Sequence, residues 1–248
     1  MQEKKEMNVY VYVFILTSVV ALVLSMLYTT LNPTFEANKA EAKKKAILSC
    51  IPDSTIDLNN IESIKTAYDK VLMKAVSASG DVYGSDQLET INGLSDNGAK
   101  KYKTLEELDL SNEEKKSASN RFYPVYEYNG ADKKYYVVAI RGNGLWDKIW
   151  AYIALEDDLN TIAGVYFDHK AETPGLGAEI KDSDKFKAQF KGKKVFDGER
   201  VALTVLKRIQ KGESYVAGIS GATITSDGVT KMFESGMAYY KNYFASIK

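Results

Sequence analysis

The chain has 248 residues, of which 45% are hydrophobic, so it is long enough and apolar enough for a sizeable core in one large or two small domains. Its 33 Lys and Arg residues balance 33 Asp and Glu residues. This composition excludes a disordered chain, and it lacks the basic charge expected of a protein that binds nucleic acid.

An apolar segment near the N-terminus predicts a membrane span. Residues 7–34 contain no charged side chain, and they exceed the roughly 20 apolar residues that cross a bilayer as a helix. Tyr10, Tyr12 and Tyr28 lie near the ends of the segment, where interfacial aromatic residues are common. A cleaved signal peptide would have a shorter apolar region followed by a small-residue cleavage site. We therefore expect a retained anchor.

Lysines flank the span on both sides, so the positive-inside rule does not decide its orientation. Lys4 and Lys5 precede the span, and Lys39, Lys43, Lys44 and Lys45 follow it. A short tail before a large domain is the usual layout of a single-span protein whose domain lies outside the cytoplasm. We expect residues 1–6 to be a cytoplasmic tail and the anchor, which has no ionisable acid or base, to lie away from any ion path.

The single cysteine, Cys50, and the single histidine, His169, restrict the possible chemistry. The chain alone cannot form an intrachain disulfide, hold an iron–sulfur cluster or build a Cys/His zinc site. A hydrolase with Ser220 as nucleophile and His169 as base is one candidate. However, Ala222 stands where the nucleophile motif G-x-S-x-G has its last glycine.

The first half of the domain beyond the anchor is predicted to combine helices with polar turns. Residues 34–48 are rich in Ala, Lys and Glu after Pro33, which predicts a stalk helix. Residues 51–130 contain helix-like segments at 61–76 and 113–119 between polar turns. We assign 35–130 to the stalk and this first half.

The second half, residues 131–248, alternates between apolar and polar positions. The period-two pattern over 134–141, 149–156 and 161–168 predicts an antiparallel meander. A helix over 182–190, a strand over 201–208 and a closing amphipathic helix over 227–244 are predicted to follow, and the last has Met232, Phe233, Met237 and Tyr240 on one face. The predicted fold is α+β, with helices packed on a mostly antiparallel sheet.

Two motifs lie in predicted loops of the meander. In Gly142-Asn143-Gly144-Leu145-Trp146, the tryptophan is either a core residue or a contact for a planar ring. In the loop 169–177, Glu172, Thr173 and the Gly177 backbone offer polar groups beside Leu176, which suits a heteroaromatic ring. Neither Gly-x-Gly is a dinucleotide fingerprint, because Asp147 and Ile180 occupy the third glycine positions.

A third motif precedes the closing helix. Residues 220–226 read Ser-Gly-Ala-Thr-Ile-Thr-Ser. Small residues let a ligand approach the backbone, and a helix N-terminus favours a phosphate. The alternative is a simple helix cap.

These three motifs, in this order behind one span, resemble those of the NqrC family, whose members are subunits of the sodium-translocating NADH:quinone oxidoreductase. The resemblance implies an extracytoplasmic FMN-binding domain at the bacterial inner membrane, in a complex with other subunits. It implies that FMN is joined through a phosphoester to Thr225, the last threonine of the motif, by a dedicated flavin transferase. The chain would relay single electrons and bind neither NADH nor quinone itself.

By the same resemblance, two loops line the flavin ring and the third motif holds its phosphate. The implied cofactor contacts are Leu145, Trp146, Glu172, Thr173, Leu176, Gly177, Lys207, Ser220, Gly221, Ala222, Thr223, Ile224 and Thr225. The family commonly has Asp three residues before the motif serine, where this chain has Ala217. Two alternatives remain open: the equivalent flavoprotein of the related ferredoxin:NAD oxidoreductase (Rnf) complex, and an anchored binding module that carries no covalent flavin.

Overall fold

The structure is a computed structural model that describes residues 8–94, 96, 98–130, 133–207 and 212–247. The predicted tail, residues 1–6, and the end of the predicted strand at Arg208 lie outside the described residues. The chain divides into two compact units, Met1–Lys44 and Lys45–Lys248.

The first long element is helix α1, Val9–Ser49, whose 41 residues include Pro33. The predicted anchor and stalk are therefore one continuous helix. It is long and apolar enough to cross a membrane. Thr17 and Thr29 turn their hydroxyls back to the carbonyls of Val13 and Ser25, at 2.9 and 3.0 Å, which satisfies these polar groups within the helix.

The second unit is built on a six-stranded antiparallel sheet with the order β2-β1-β3-β4-β5-β6. Its strands are β1 Val71–Ser77, β2 Val82–Tyr83, β3 Phe122–Asn129, β4 Lys134–Asn143, β5 Lys148–Leu155 and β6 Ile162–His169. The α+β prediction is confirmed, and the predicted meander matches β4, β5 and β6 to within two residues.

The predictions for the first half of this unit were largely wrong. The helix expected over 61–76 ends at Tyr68 as α2, Ile61–Tyr68, and the chain continues as β1. The helix expected over 113–119 is reduced to α4, Leu110–Glu113, with a 3-10 turn at Ala118–Asn120. Strand β3 was not predicted. Short apolar runs fit either period, and pairing with β3 decides that β1 is a strand.

The predicted elements of the C-terminal part are present but divided. Two short helices, α5 Glu179–Asp182 and α6 Asp184–Ala188, replace the helix over 182–190, because Ser183 caps α6 by accepting a hydrogen bond from the Phe186 N–H at 3.2 Å. The strand over 201–208 is likewise two pieces. The remaining α-helices and strands are α3 Leu88–Gly93, β7 Phe196–Asp197, β8 Arg200–Val201, β9 Thr204–Leu206, β10 Tyr215–Ala217, α7 Thr223–Ala238 and α8 Lys241–Ser246.

Side chains that alternate along the strands build a core on each face of the sheet. Val138 and Ile140 of β4 pack with α7, whereas Val137 belongs to the cluster on the opposite face. The face predicted for the closing helix, Met232, Phe233, Met237 and Tyr240, is fully buried. The predicted helix is divided into α7, which begins at Thr223, four residues before the predicted start, and α8; Tyr240 lies between the two.

Glycines bring α7 unusually close to β4. A methyl group added at Gly228 would lie 2.3 Å from the Asn143 carbonyl oxygen, and one at Gly236 would lie 2.6 Å from Ile140 Cβ. The N-terminus of α7 is therefore held against the end of β4, where the Gly144–Trp146 loop begins.

Candidate functional site

The three sequence motifs come together at one end of the sheet. The end of β4, the start of β5 and the end of β6 are adjacent, since Asn143 pairs with Lys148 and Ile149 pairs with His169. The loop after β6 lies beside the loop between β4 and β5. The third motif forms the turn before α7 and the first turn of α7 itself, and Gly228 holds this helix against Asn143.

Glu172 links all three motifs through one carboxylate. Its Oε1 accepts a hydrogen bond from the Trp146 backbone N–H at 2.9 Å, and its Oε2 accepts one from the Thr225 hydroxyl at 2.7 Å. Glu172 is only 4% exposed. The prediction placed this side chain against a ring, whereas in the structure both oxygens are engaged by the protein.

The space around this carboxylate is closed by glycines. A methyl group on Gly144 would lie 2.5 Å from Glu172 Oε1, and one on Gly177 would lie 2.2 Å from Oε2. The backbone N–H of Glu172 donates to His169 Nδ1 at 3.1 Å. The carboxylate is therefore fixed by its neighbours, and neither glycine can be replaced by a larger residue without displacing it.

Four large apolar side chains at the site remain open to solvent. Trp146 is 68% exposed and its indole N–H donates to the Thr173 hydroxyl at 3.1 Å. The alternative assignment of Trp146 to the core is therefore wrong. Leu145, Leu176 and Ile224 are also exposed. Such an exposed apolar set is typical of a binding surface and suits the face of a planar ring.

The start of α7 offers backbone donors. The N-cap residue, Ala222, makes no side-chain capping bond, so the motif is not a simple hydroxyl cap. Ser226 turns inward and accepts a hydrogen bond from the Ile219 N–H at 3.1 Å, whereas Ser220 and Thr223 are exposed. Gly221, with a φ of +79°, lets the chain turn against Leu176. These features fit a phosphate at the helix N-terminus.

The two threonines of the motif differ in exposure. Thr223 is exposed, whereas Thr225 is 1% exposed, with its hydroxyl directed at Glu172. Gly177 lies over this hydroxyl, because a methyl group there would be 2.7 Å from Thr225 Oγ1. A group that joins Thr225 therefore needs the segment around Gly177 to move aside.

The remaining predicted residues lie at the edge of the site. Ala217 ends β10, where Gln189 bonds both its N–H, at 3.1 Å, and its carbonyl, at 3.3 Å. Lys207 is exposed and directly follows β9, whose Leu206 pairs with Ala217. In the part of the chain that the structure describes, no hydrogen bond joins Ser220 to His169, so the hydrolase dyad has no support.

Sequence reasoning missed the packing residues of the site. Gly228 and Ser226 position α7 but carry no recognisable chemistry in the sequence. A glycine inside a predicted amphipathic helix was the available signal, because it is unfavourable there unless a close contact requires it.

Comparison with known proteins identifies related sequences. The family described as FMN-binding domain matches residues 144–238, which include most of the three motifs. The NqrC component of the Na⁺-translocating NADH-quinone reductase of Neisseria meningitidis is 30% identical over 229 residues, or 87% of this chain and 85% of the relative. The corresponding protein of Vibrio campbellii is 39% identical over 109 residues, and that match spans 43% of this chain and only 41% of the relative.

Solved structures resemble most of the chain. The crystal structure of the corresponding Na⁺-translocating NADH-quinone reductase component from Parabacteroides distasonis has a TM-score of 0.69 and 30% identity, covering 86% of this chain and 96% of that one. Shewanella oneidensis NqrC, at 24% identity and a TM-score of 0.66, shares the fold and covers 85% of this chain and 98% of that one.

Proposed function

Because the chain belongs to the NqrC family of the Na⁺-translocating NADH-quinone reductase, we propose that it is a membrane-anchored, FMN-carrying subunit of such a reductase. The observation that carries this proposal is the match of the FMN-binding domain to the residues around the Glu172 carboxylate. FMN supplies redox chemistry, and the protein relays single electrons between neighbouring subunits.

The flavin ring rests on the exposed apolar side chains of the two sheet loops. Trp146 and Leu176 are the main contacts, with Leu145 and Ile224 beside them. Support comes from their exposure, since isolated surface residues of this size are common but a cluster of four marks a binding surface. These side chains orient the ring and keep water from one of its faces.

The phosphate of FMN is joined to Thr225 as a phosphoester at the start of α7. The uncapped helix N-terminus supports this assignment, because its N–H groups and the helix dipole stabilise the remaining negative charge. The exposed hydroxyls of Ser220 and Thr223 add donors, and the exposed Lys207, which follows β9, is the proposed positive charge. A flavin transferase installs the group.

The anchor places the flavin domain on the outer side of the bacterial inner membrane. Residues 1–6 are the cytoplasmic tail, 7–34 the span, 35–130 the stalk and first half of the domain, and 131–248 the flavin-binding part. NADH oxidation, quinone reduction and the sodium path belong to other subunits. Helix α1, which is long and apolar enough to cross a membrane, supports the anchor in this arrangement.

Mass spectrometry tests covalent attachment directly. The chain is co-expressed with an active flavin transferase, denatured, and assayed for in-gel flavin fluorescence and for a mass increase of FMN minus one water. We expect the label to be lost in Thr225→Val and kept in Thr223→Val. An unmodified mass in the wild-type chain would contradict the proposal.

Isolation of the membrane complex distinguishes this function from that of the Rnf flavoprotein. A tagged chain should co-purify with several polytopic subunits whose NADH-dependent quinone reduction rises with sodium concentration. Co-purification with a ferredoxin-dependent complex would assign the chain to the alternative.

A further inference from the structure

The Glu172 carboxylate touches the hydroxyl oxygen that the proposed attachment uses. Thr225 Oγ1 lies 2.7 Å from Glu172 Oε2 and donates its proton in this hydrogen bond. Both residues are almost fully buried. A buried carboxylate in hydrogen-bond contact with a nucleophilic hydroxyl has the geometry of a nucleophile and its base.

The carboxylate differs from its neutral isostere in what it can do with the Thr225 proton. The Trp146 N–H and the Thr225 O–H both donate to the carboxylate. A glutamine would accept from the Trp146 N–H through its oxygen and donate from its NH₂ group to Thr225 Oγ1, because a hydroxyl also accepts. It would fill the same space but could not take up the hydroxyl proton.

Resting on the proposed function, we propose that Glu172 is the general base for flavin attachment to Thr225. The co-reactant is a flavin phosphoanhydride, such as flavin adenine dinucleotide, presented by the transferase. Thr225 Oγ1 attacks the flavin-side phosphorus, a new P–O bond forms, and the bridging P–O bond to the nucleotide phosphate breaks. The hydroxyl proton passes to Glu172 Oε2, and nothing is oxidised or reduced.

The transfer keeps the local charge constant. Before it, the pair consists of a carboxylate and a neutral hydroxyl; afterwards, it consists of a neutral carboxylic acid and a singly charged phosphodiester. A Glu172 that stayed ionised would face the phosphodiester with like charge and without the Thr225 donor. The protonated acid instead becomes a hydrogen-bond donor to the ester.

Access to the hydroxyl can open without disturbing the base. The Glu172 backbone N–H donates to His169 Nδ1, and the Glu172 carboxylate accepts from the Trp146 N–H. The cover over Thr225 is Gly177, which follows the turn at Gly175, a glycine with a φ of +74°. Movement of residues 174–177 would uncover Thr225 while these two hydrogen bonds still hold Glu172.

The test measures the kinetics of attachment to the full-length chain. The detergent-solubilised chain is incubated with transferase and flavin adenine dinucleotide, and the covalent product is quantified by mass spectrometry against chain concentration. Glu172→Gln keeps the size of the side chain and removes the base, whereas Glu172→Asp keeps the base and shortens the side chain. Glu234→Gln, at an exposed position of α7, is the matched control.

For Glu172→Gln we expect kcat to fall about 10²- to 10⁴-fold, the usual contribution of general-base catalysis, with the KM for the chain unchanged. Glu172→Asp should label faster than Glu172→Gln, and Glu234→Gln should match the wild type. A Glu172→Gln rate within about threefold of wild type overturns the proposal. A labelling rate for Glu172→Asp that is no higher than that for Glu172→Gln also overturns the proposal, since a purely structural role favours the isosteric glutamine.

The same experiment distinguishes a failure of this inference from a failure of the proposed function. A wild-type chain that stays unlabelled, or that is labelled at a residue other than Thr225 in peptide mapping, refutes the proposed attachment. If the wild-type chain is labelled at Thr225 and Glu172→Gln is labelled at the wild-type rate, only the role of Glu172 is refuted.

Discussion

Replacement of Gly228 by alanine tests whether the close approach of α7 to β4 positions the site. In an exposed helix interior this change would stabilise the chain by about 1 kcal/mol, because glycine is a poor helix former. Here the added methyl group would lie 2.3 Å from the Asn143 carbonyl oxygen, about 1 Å closer than ordinary contact. The obstacle is backbone at the end of β4, so the helix itself must shift.

The expected cost combines two effects. Overpacking of this kind costs about 1–3 kcal/mol. A shift of the first turns of α7 also separates Thr225 from Glu172, and a hydrogen bond to a charged group contributes about 1.5–3 kcal/mol. After the gain in helix propensity, we expect Gly228→Ala to lower the free energy of unfolding by about 1.5–5 kcal/mol.

Urea unfolding followed by tryptophan fluorescence measures this loss. Gly93→Ala is the matched control, since Gly93 is also helical and a methyl group there meets nothing within 4 Å. The control should change the free energy by no more than about 1 kcal/mol. If Gly228→Ala were as stable as the wild type, α7 would have room to spare, and the packing explanation for the site geometry would fail.

Two further predictions concern charged groups away from the site. Lys116→Met removes the cationic partner of Glu113; the two charged groups lie 2.7 Å apart and each side chain is 1% exposed. This change should lower the free energy of unfolding in urea by about 3–5 kcal/mol. A loss below about 1 kcal/mol would refute the burial of this charge. Burial raises the pKa of Asp158, but hydrogen bonds from Thr161, Asn160 and Lys194 outweigh this and hold the pKa below its usual value. Ionised Asp158 therefore stabilises the fold above about pH 4 and loses this effect as the pH falls through the lowered pKa. Asp158→Asn should lower the melting temperature at neutral pH, and the melting temperature of the variant should fall less steeply in acid than that of the wild type. Parallel declines of the two melting temperatures would contradict this prediction.

The sequence predicted the elements whose pattern is long and regular. Strands β4 to β6 alternate over much of their length, and their bounds differ from the predicted ones by at most two residues. The helix prediction for residues 61–76 failed because their apolar positions fit a helix and a strand about equally well. Only the pairing of Val71–Ser77 with β3 makes this segment a strand.

At the candidate site, the sequence indicated which residues to consider but not how they are used. The motifs identified Trp146, Glu172 and Thr225 together. Trp146 stayed ambiguous between core and surface, because a strand-adjacent tryptophan suits either, and its 68% exposure is a property of the folded chain.

The sequence by itself determined the apolar anchor, the class of fold and the three motifs, because hydropathy, periodicity and small-residue runs are local properties. Only the tertiary structure decided that Glu172 joins Trp146 and Thr225 and that Gly228 holds α7 close enough for this bond. These contacts link residues up to 85 positions apart along the chain, and which of them form depends on strand order and helix packing, which no local pattern encodes.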